Sequence, residues 1–203
     1  MGNREDLIAG AKRCLYDKGY ARTSIRDITA AAGGVSMAAV GYHFGSKEAL
    51  LNEALSQASQ EWGEQLAQAL AAVPADPEAG PLQRFEAAWT RILTTFETYR
   101  PLWAATFDVI GQVQHAEQAR AHLAAGLEHA RLGLAQVLAG LDPGHPDAWA
   151  VGGFHQALLT GVMAQCLIDP ERAPTGHDLA TALALISGGS PGSRREQEAR
   201  RDA

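Results

Sequence analysis

Residues 19–50, GYARTSIRDITAAAGGVSMAAVGYHFGSKEAL, hold two short helical patterns separated by paired glycines. Thr23 and Ser24 each carry a hydroxyl that can accept from the unpaired N–H groups at a helix start. Ile25, Ile28 and Ala32 then fall on one face at three- and four-residue spacing, while Arg26 and Asp27 point away. Gly33-Gly34 stops the pattern, because glycine enters left-handed backbone without a Cβ clash. Ser36 can cap a second helix, in which Val40 and Phe44 form a narrow apolar stripe. Its other face carries Met37, Ala38, Ala39, Gly41, Tyr42 and His43, and Gly45-Ser46 ends it. Short helix, tight turn, short helix is the pattern of a helix-turn-helix, and spacing alone fits an ordinary helical hairpin equally well. The small outer face of the second helix suits DNA. A backbone unshielded by large side chains can approach a groove floor, where the first turn reads base edges and flanking donors hold phosphates.

The rest of the chain reads as helix. Alanine is abundant, and β-branched and aromatic residues are sparse. Leu7, Ile8, Ala11, Cys14 and Leu15 predict a helix over 4–18 with one buried stripe, closed by Gly19, with Tyr20 packed back on it. Leu51, Leu55, Ala58, Trp62, Leu66, Leu70 and Val73 mark a long helix from Ser46 or Lys47 to Val73, about 40 Å at 1.5 Å per residue. After the loop VPADPEAGP, a fifth helix is expected to reach about Tyr99, with Pro101 opening a sixth. Further helices are expected over about 116–139, 147–168 and 176–187, the first of them carrying Leu123, Leu127, Ala130, Leu134 and Leu138 on its core face. From Gly188 the sequence has little apolar content.

Charge separates the two ends of the chain. Residues 1–50 hold seven basic and five acidic side chains, whereas the remainder holds ten basic and eighteen acidic, against an overall charge of -6. A slightly basic head on an acidic body has the sign that phosphate contacts need, and predicts weak, salt-sensitive non-specific binding. No apolar run approaches the roughly 20 residues of a membrane span, and MGNREDLIAG lacks the apolar core of a secretion signal. A cytoplasmic protein without a membrane partner is expected. Cys14 and Cys166 lie on apolar faces and read as small buried side chains. His115, His122 and His129 recur every seven residues, about 10 Å apart along a helix, too far to share one metal ion. No Glu-x-x-His, His-Glu-x-x-His or phosphate-cradling loop is present, so neither an enzyme nor a metal or other cofactor is expected.

Gly19-Tyr20, Thr23-Ser24-Ile25, Ile28, Ala31-Ala32-Gly33, Val35-Ser36 and His43 through Leu51 resemble, in combination, the DNA-binding domain of tetracycline-repressor-type (TetR family) regulators. The resemblance reaches back through Ala11, Cys14 and Leu15 and covers about the first quarter of the chain. It implies an all-α homodimer of about nine helices. Residues 1–46 would form a three-helix DNA-binding head, 47–187 a helical ligand-binding and dimerisation domain, and 188–203 a mobile tail. It also assigns roles. Arg26 would read bases from the second helix. Met37, Ala38 and Ala39 would face bases by apolar contact and backbone amides. Thr23, Ser36, Tyr42, His43 and Lys47 would complete the DNA-binding set. Two departures stand out. The family turn usually has one glycine where this chain has Gly33 and Gly34, which is expected to lengthen the turn and tilt the recognition helix. The usual tyrosine of that helix falls on Gly41, with Tyr42 beside it.

Phe85, Trp89, Phe96, Trp103 and Phe107 concentrate the aromatics in mid-chain, as an ordinary core would. The resemblance turns that region into a candidate ligand pocket, with His155 as a polar anchor and Thr106, Gln112, His115 and Gln156 as further ones. Gly153, Ala157, Gly161 and Ala164 form a small-residue stripe that admits a close helix. The resemblance makes it the dimer interface. The resulting expectation is a ligand-responsive regulator, a repressor released from a palindromic operator by a small, largely apolar molecule. Its partners would be double-stranded DNA, its own copy and an unknown small ligand. The alternative is a helical dimer that binds a protein partner or small molecule without sequence-specific DNA binding.

Overall fold

The computed structural model describes residues 3–72, 78–111 and 117–188, without the side chains of 117–119 and 122. Nine helices and no strands occur among the described residues: α1 Asn3–Lys18, α2 Ile25–Ala31, α3 Met37–Phe44, α4 Lys47–Ala71, α5 Pro81–Thr94, α6 Phe96–Ile110, α7 Glu117–Ala139, α8 Ala148–Ile168 and α9 Gly176–Ile186. The all-α expectation holds, and most boundaries fall within two residues of the periodic patterns. The stretch after Gly188, expected as a tail, and Val73, Gln112 and His115 lie outside the described residues.

Helices α1 to α3 enclose a small core of Leu7, Ile8, Ala11, Cys14, Leu15, Ile28 and Val40. α1 closes on Gly19, whose left-handed backbone (φ 77°) lets its N–H reach the Leu15 carbonyl. Tyr20 turns inward as expected and donates its hydroxyl to Asn52 Oδ1 at 3.0 Å. α1 and α2 cross closely at Gly10, where an added Cβ would stand 2.7 Å from the Ile28 carbonyl oxygen.

Helix α4 belongs to both halves of the molecule. Leu50, Leu51, Ala54 and Leu55 are buried at its N-terminal end, and Ala58, Trp62 and Leu66 continue the stripe further along. Twenty-five residues give about 37 Å of continuous helix. Each large buried side chain contributes roughly 1.5–3 kcal/mol, so the stripe holds the α4 axis against α1 at one end and against α5, α6 and α7 beyond.

The fifth and sixth helices divide differently from the sequence expectation. The break comes at Thr95, and Pro101 lies inside α6. Thr94 and Thr95 return their hydroxyls to the Arg91 and Ile92 carbonyls, both at 2.7 Å, which competes with the helical ladder. Thr95 Oγ1 also accepts from Trp62 Nε1 at 3.3 Å, tying the break to α4. On α7, Leu134 is buried, but Leu127, expected on the core face, is 49% exposed and Ala130 is exposed as well.

Helix α8 meets the length and mean hydropathy of a membrane span (1.3 over its best window), which the search for apolar runs did not anticipate. It packs along α7 and α6 and buries His155 and Gln156. Gln156 Nε2 donates to the Leu127 carbonyl at 3.1 Å, and its Oε1 accepts from Arg131 Nε at 3.2 Å. Those contacts are of a helix in a protein core. The closest approach is at Gly152, where an added Cβ would lie 2.0 Å from the Arg131 carbonyl oxygen. Neither backbone can yield without breaking helix. Gly152→Ala is therefore expected to destabilise by about 1–3 kcal/mol in chemical unfolding, whereas Gly153→Ala, where the added Cβ would meet only the Arg131 side chain at 3.6 Å, is expected to be near neutral.

Candidate functional site

The turn between α2 and α3 explains the second glycine. The Gly33 N–H reaches the Ala30 carbonyl (3.2 Å) and the Gly34 N–H reaches Thr29 (2.9 Å), the paired bonds of a Schellman cap. Both glycines are left-handed, at φ 82° and 83°. They close α2 and reverse the chain. Ser24 caps α2 reciprocally: its Oγ accepts from Asp27 N–H, and the Asp27 carboxylate accepts from Ser24 N–H at 2.9 Å. The Lys18 ammonium on Asp27, and then the Ser24 bonds, hold that carboxyl well below the usual carboxylate range. Ser36 caps α3 and Ser46 caps α4 through Ala38 and Ala49 N–H.

Helix α3 rests on buried Val40 and leaves its other side open. Ser36, Met37, Ala38, Gly41 and Tyr42 are exposed, and Ala39 and His43 are half-buried. Tyr42 is 85% exposed and packs edge-on against His43, ring centroids 4.9 Å apart. Among the described residues, nothing stands within 4 Å of a Cβ added at Gly41. Arg26 is exposed at the start of α2 and engages no carboxylate among the described residues.

Two members of the expected DNA set lie elsewhere. Thr23 is buried, with its hydroxyl bonded to the Gly19 carbonyl at 2.8 Å and in reach of Cys14 O, so it braces the head from inside. Lys47 is half-buried, and its Nζ donates to the Thr23 carbonyl at 3.1 Å, with Glu48 at 3.5 Å. It fastens the start of α4 to the loop before α2. Four of the seven basic side chains in 1–50 face carboxylates: Arg4 on Glu53, Lys12 on Glu61, Lys18 on Asp27 and Lys47 on Glu48. Arg13 instead holds the Ala31 carbonyl, and Arg22 Nε the Lys18 carbonyl. The exposed Arg13 was not singled out in the sequence, because only the fold brings it to the end of α2.

A hydrogen bond joins the loop after α1 to the sixth helix. Asp108 Oδ2 accepts from the Tyr20 N–H at 3.2 Å, beside Gly19. Tyr20 is thus bound by α4 through its hydroxyl and by α6 through its backbone, and burial pushes its phenol up to about 12.

The expected aromatic pocket divides. Phe85, Trp89 and His155 come together, with Trp89 and His155 stacked at 6.1 Å and Phe85 5.9 Å from His155. They line a cavity of about 530 Å³ between α5, α7, α8 and α9, together with Leu82, Leu138 and Leu183. Trp103 packs on Trp62 at 5.0 Å, while buried Phe96 lies under Arg100. Phe107 joins the same core, and none of these three reaches the cavity. Trp89 Nε1 and His155 Nδ1 are buried without a partner among the described residues. Burial lowers the His155 pKa, which keeps the ring neutral. Arg84 and Leu183 had no sequence signal, and Leu138 was legible only as a core-face leucine, since helix packing alone brings them together.

On α8, Ala157 and Gly161 are exposed, and Gly153 and Ala164 half-buried. The stripe is open except near Gly153, where the Arg131 side chain passes. No group of three metal-ligating side chains occurs among the described residues.

Residues 7–54, the segment that builds α1, α2, α3 and the start of α4, match the family model for bacterial regulatory proteins, tetR family. By this match, residues 7–54 form a tetR-type head. Solved structures share its architecture over nearly the whole length. A transcriptional regulator from Rhodococcus sp. Rha1 is 22% identical, with 92% of this chain and 96% of that one covered and a TM-score of 0.62. A TetR transcription regulator from Haloarcula marismortui is 22% identical over 92% and 95% of the two chains, at 0.58. The multidrug binding protein EbrR, solved with imidazole, is 24% identical over 90% and 88%, at 0.62. At these identities the likeness is one of fold. No curated protein matches the sequence.

The tetR-type turn yields a test. A Cβ on Gly33 or Gly34 would meet nothing within 4 Å, so only backbone strain opposes it. Gly34→Ala is expected to cost the head about 1–2 kcal/mol, read as a lower thermal midpoint. Its DNA affinity should fall in proportion, since α3 is positioned by that cap.

Proposed function

We propose that the protein is a homodimeric transcriptional repressor, released from a palindromic operator when a small, largely apolar molecule occupies the cavity between α5, α7, α8 and α9. The observation that carries the reading is the continuity of α4: one rigid helix is packed against the DNA-binding head at its start and against the cavity-bearing helices beyond. A ligand that favours one setting of α5 and α6 biases the head through α4 and through the Asp108–Tyr20 bond. The organisation is a head over 1–46 and a ligand and dimer domain over 47–187. The solved complex of EbrR with imidazole supports a ligand in this fold.

In the complex, the first turn of α3 enters a major groove. Met37, Ala38 and Ala39 offer apolar contacts to base edges, for instance thymine methyls. Arg26 reads a base edge beside them. Ser36, Tyr42 and His43 lie where phosphates flank the groove. Lys47 adds charge while holding the head together. Two such heads related by a two-fold axis require an inverted repeat with half-sites about one helical turn, or more, apart. The second copy seats on the stripe of Gly153, Ala157, Gly161 and Ala164, which is exposed at Ala157 and Gly161 and which no part of the described chain covers at Gly161. Leu185 and Ile186 on α9 add exposed apolar surface, at 59% and 84%.

Selection of bound duplexes from random DNA at near-physiological salt is expected to enrich an inverted repeat. Enrichment of nothing by a well-folded dimer would favour the protein-partner alternative. On the selected site, Arg26→Ala is expected to lose about 1–3 kcal/mol of discrimination at one base position. Lys47→Ala should weaken specific and random duplexes alike. Equal losses on both duplexes for Arg26→Ala would remove it from base reading.

Ala157→Glu places a charge in the middle of the open stripe. Sedimentation should then show monomers at concentrations where the parent chain is dimeric, and an undiminished dimer would move the interface elsewhere.

A further inference from the structure

The polar lining of the cavity is one-sided. Among the described residues, the polar or charged side chains that line it are Trp89, His155 and Arg84, with no carboxylate. Trp89 is 0% exposed and His155 7%, and Trp89 Nε1 and His155 Nδ1 have no partner among the described residues. A buried donor left unpaired costs about 1–3 kcal/mol, which a ligand oxygen would recover. Indole is only a donor, and a neutral imidazole offers one donor and one acceptor. A hydroxyl can serve either group, accepting from the Trp89 indole or donating to the His155 ring. Arg84 is exposed and forms no ion pair among the described residues, so its charge is available for an anion. Arg84 and Trp89 are five residues apart on α5, about 7.5 Å along the axis, comparable to the length of a fused two-ring system. Phe85, Leu82, Leu138 and Leu183 supply apolar wall between the two ends. The volume of about 530 Å³ lies well inside the range of small-molecule sites.

We infer that the cavity takes a hydroxylated two-ring aromatic carboxylate, its carboxylate at Arg84 and its hydroxyl at the end formed by Trp89 and His155. The inference rests on the ligand-pocket reading above and narrows it to an anionic, planar class.

The test uses the full chain and three probes: a hydroxynaphthoate with its substituents at opposite ends, the matching carboxamide, and naphthoate without the hydroxyl. Calorimetry is expected to show the hydroxy acid binding at least tenfold tighter than its amide, with Arg84→Gln levelling the two. Loss of the hydroxyl should weaken binding severalfold. In the unsubstituted protein, the Trp89 indole N–H resonance should shift with the hydroxy acid and much less with naphthoate. An amide that binds as tightly as the acid, or an acid preference that survives Arg84→Gln, overturns the anionic assignment while leaving the pocket in place. Failure of all three at millimolar concentration, by protein that still binds its selected DNA, overturns the assignment and the pocket with it. Tight, Arg84-dependent binding that leaves the DNA complex intact upholds the ligand class and overturns the release mechanism instead.

Discussion

The arrangement depends on one buried stripe. Leu50, Leu51, Ala54 and Leu55 pack in the head, and Ala58, Trp62 and Leu66 pack in the body, all on one face of α4. A straight α-helix transmits a tilt along its length because its ladder of hydrogen bonds resists bending. The head therefore has no independent hinge at its junction with the body. Tyr20 reinforces the constraint, with its ring under α4 and its amide on Asp108 of α6. Any rearrangement that shifts α6 against α4 must strain or release the loop between α1 and α2.

The electrostatics of the head are quieter than its residue count suggests. Carboxylates on α2 and α4 face four of its cations, and two arginines bond backbone carbonyls. Arg26 stands apart from these pairings. Exposed pairs contribute little stability, yet they reduce the positive field that a phosphate backbone would feel. The open face of α3 is correspondingly small and uncharged. Recognition by such a surface depends on close fit more than on long-range attraction, which places weight on the caps that set the angle of α3. Gly33 and Gly34 are part of that setting, because the backbone at both positions is left-handed and only glycine adopts it without strain.

Much of the fold was legible because helix formation is local. The stripes of α1 and α4, the serine caps at 24, 36 and 46, and the left-handed Gly19 all follow from spacing within one or two turns. The misreading at Pro101 came from weighing the proline above the threonine pair before it. Two β-branched residues returning their hydroxyls to the preceding turn ended α5 first. In the site, Thr23 was legible as a hydroxyl near a helix start but not as an inward one, since its bond to Gly19 depends on how the loop closes. The aromatic group in mid-chain was visible, but its division between cavity and core was not. Trp103 met Trp62 on α4, and Trp89 met His155 on α8, across separations that no periodic pattern encodes.

The sequence by itself determined the helical segments, the buried faces of α1 and α4, the helix-turn-helix and its relation to the tetR family. These are properties of short-range spacing and of backbone preference at particular residues. Tertiary structure decided which side chains share a space: Arg84 with His155 at one cavity, Asp108 with Tyr20 at the junction, and Gly152 rather than Gly153 against α7. The reason is that a helix specifies which of its faces is apolar but not which partner will cover it. That choice is made by the crossing of neighbouring helices, where one residue of offset turns a side chain from a buried contact to an open surface.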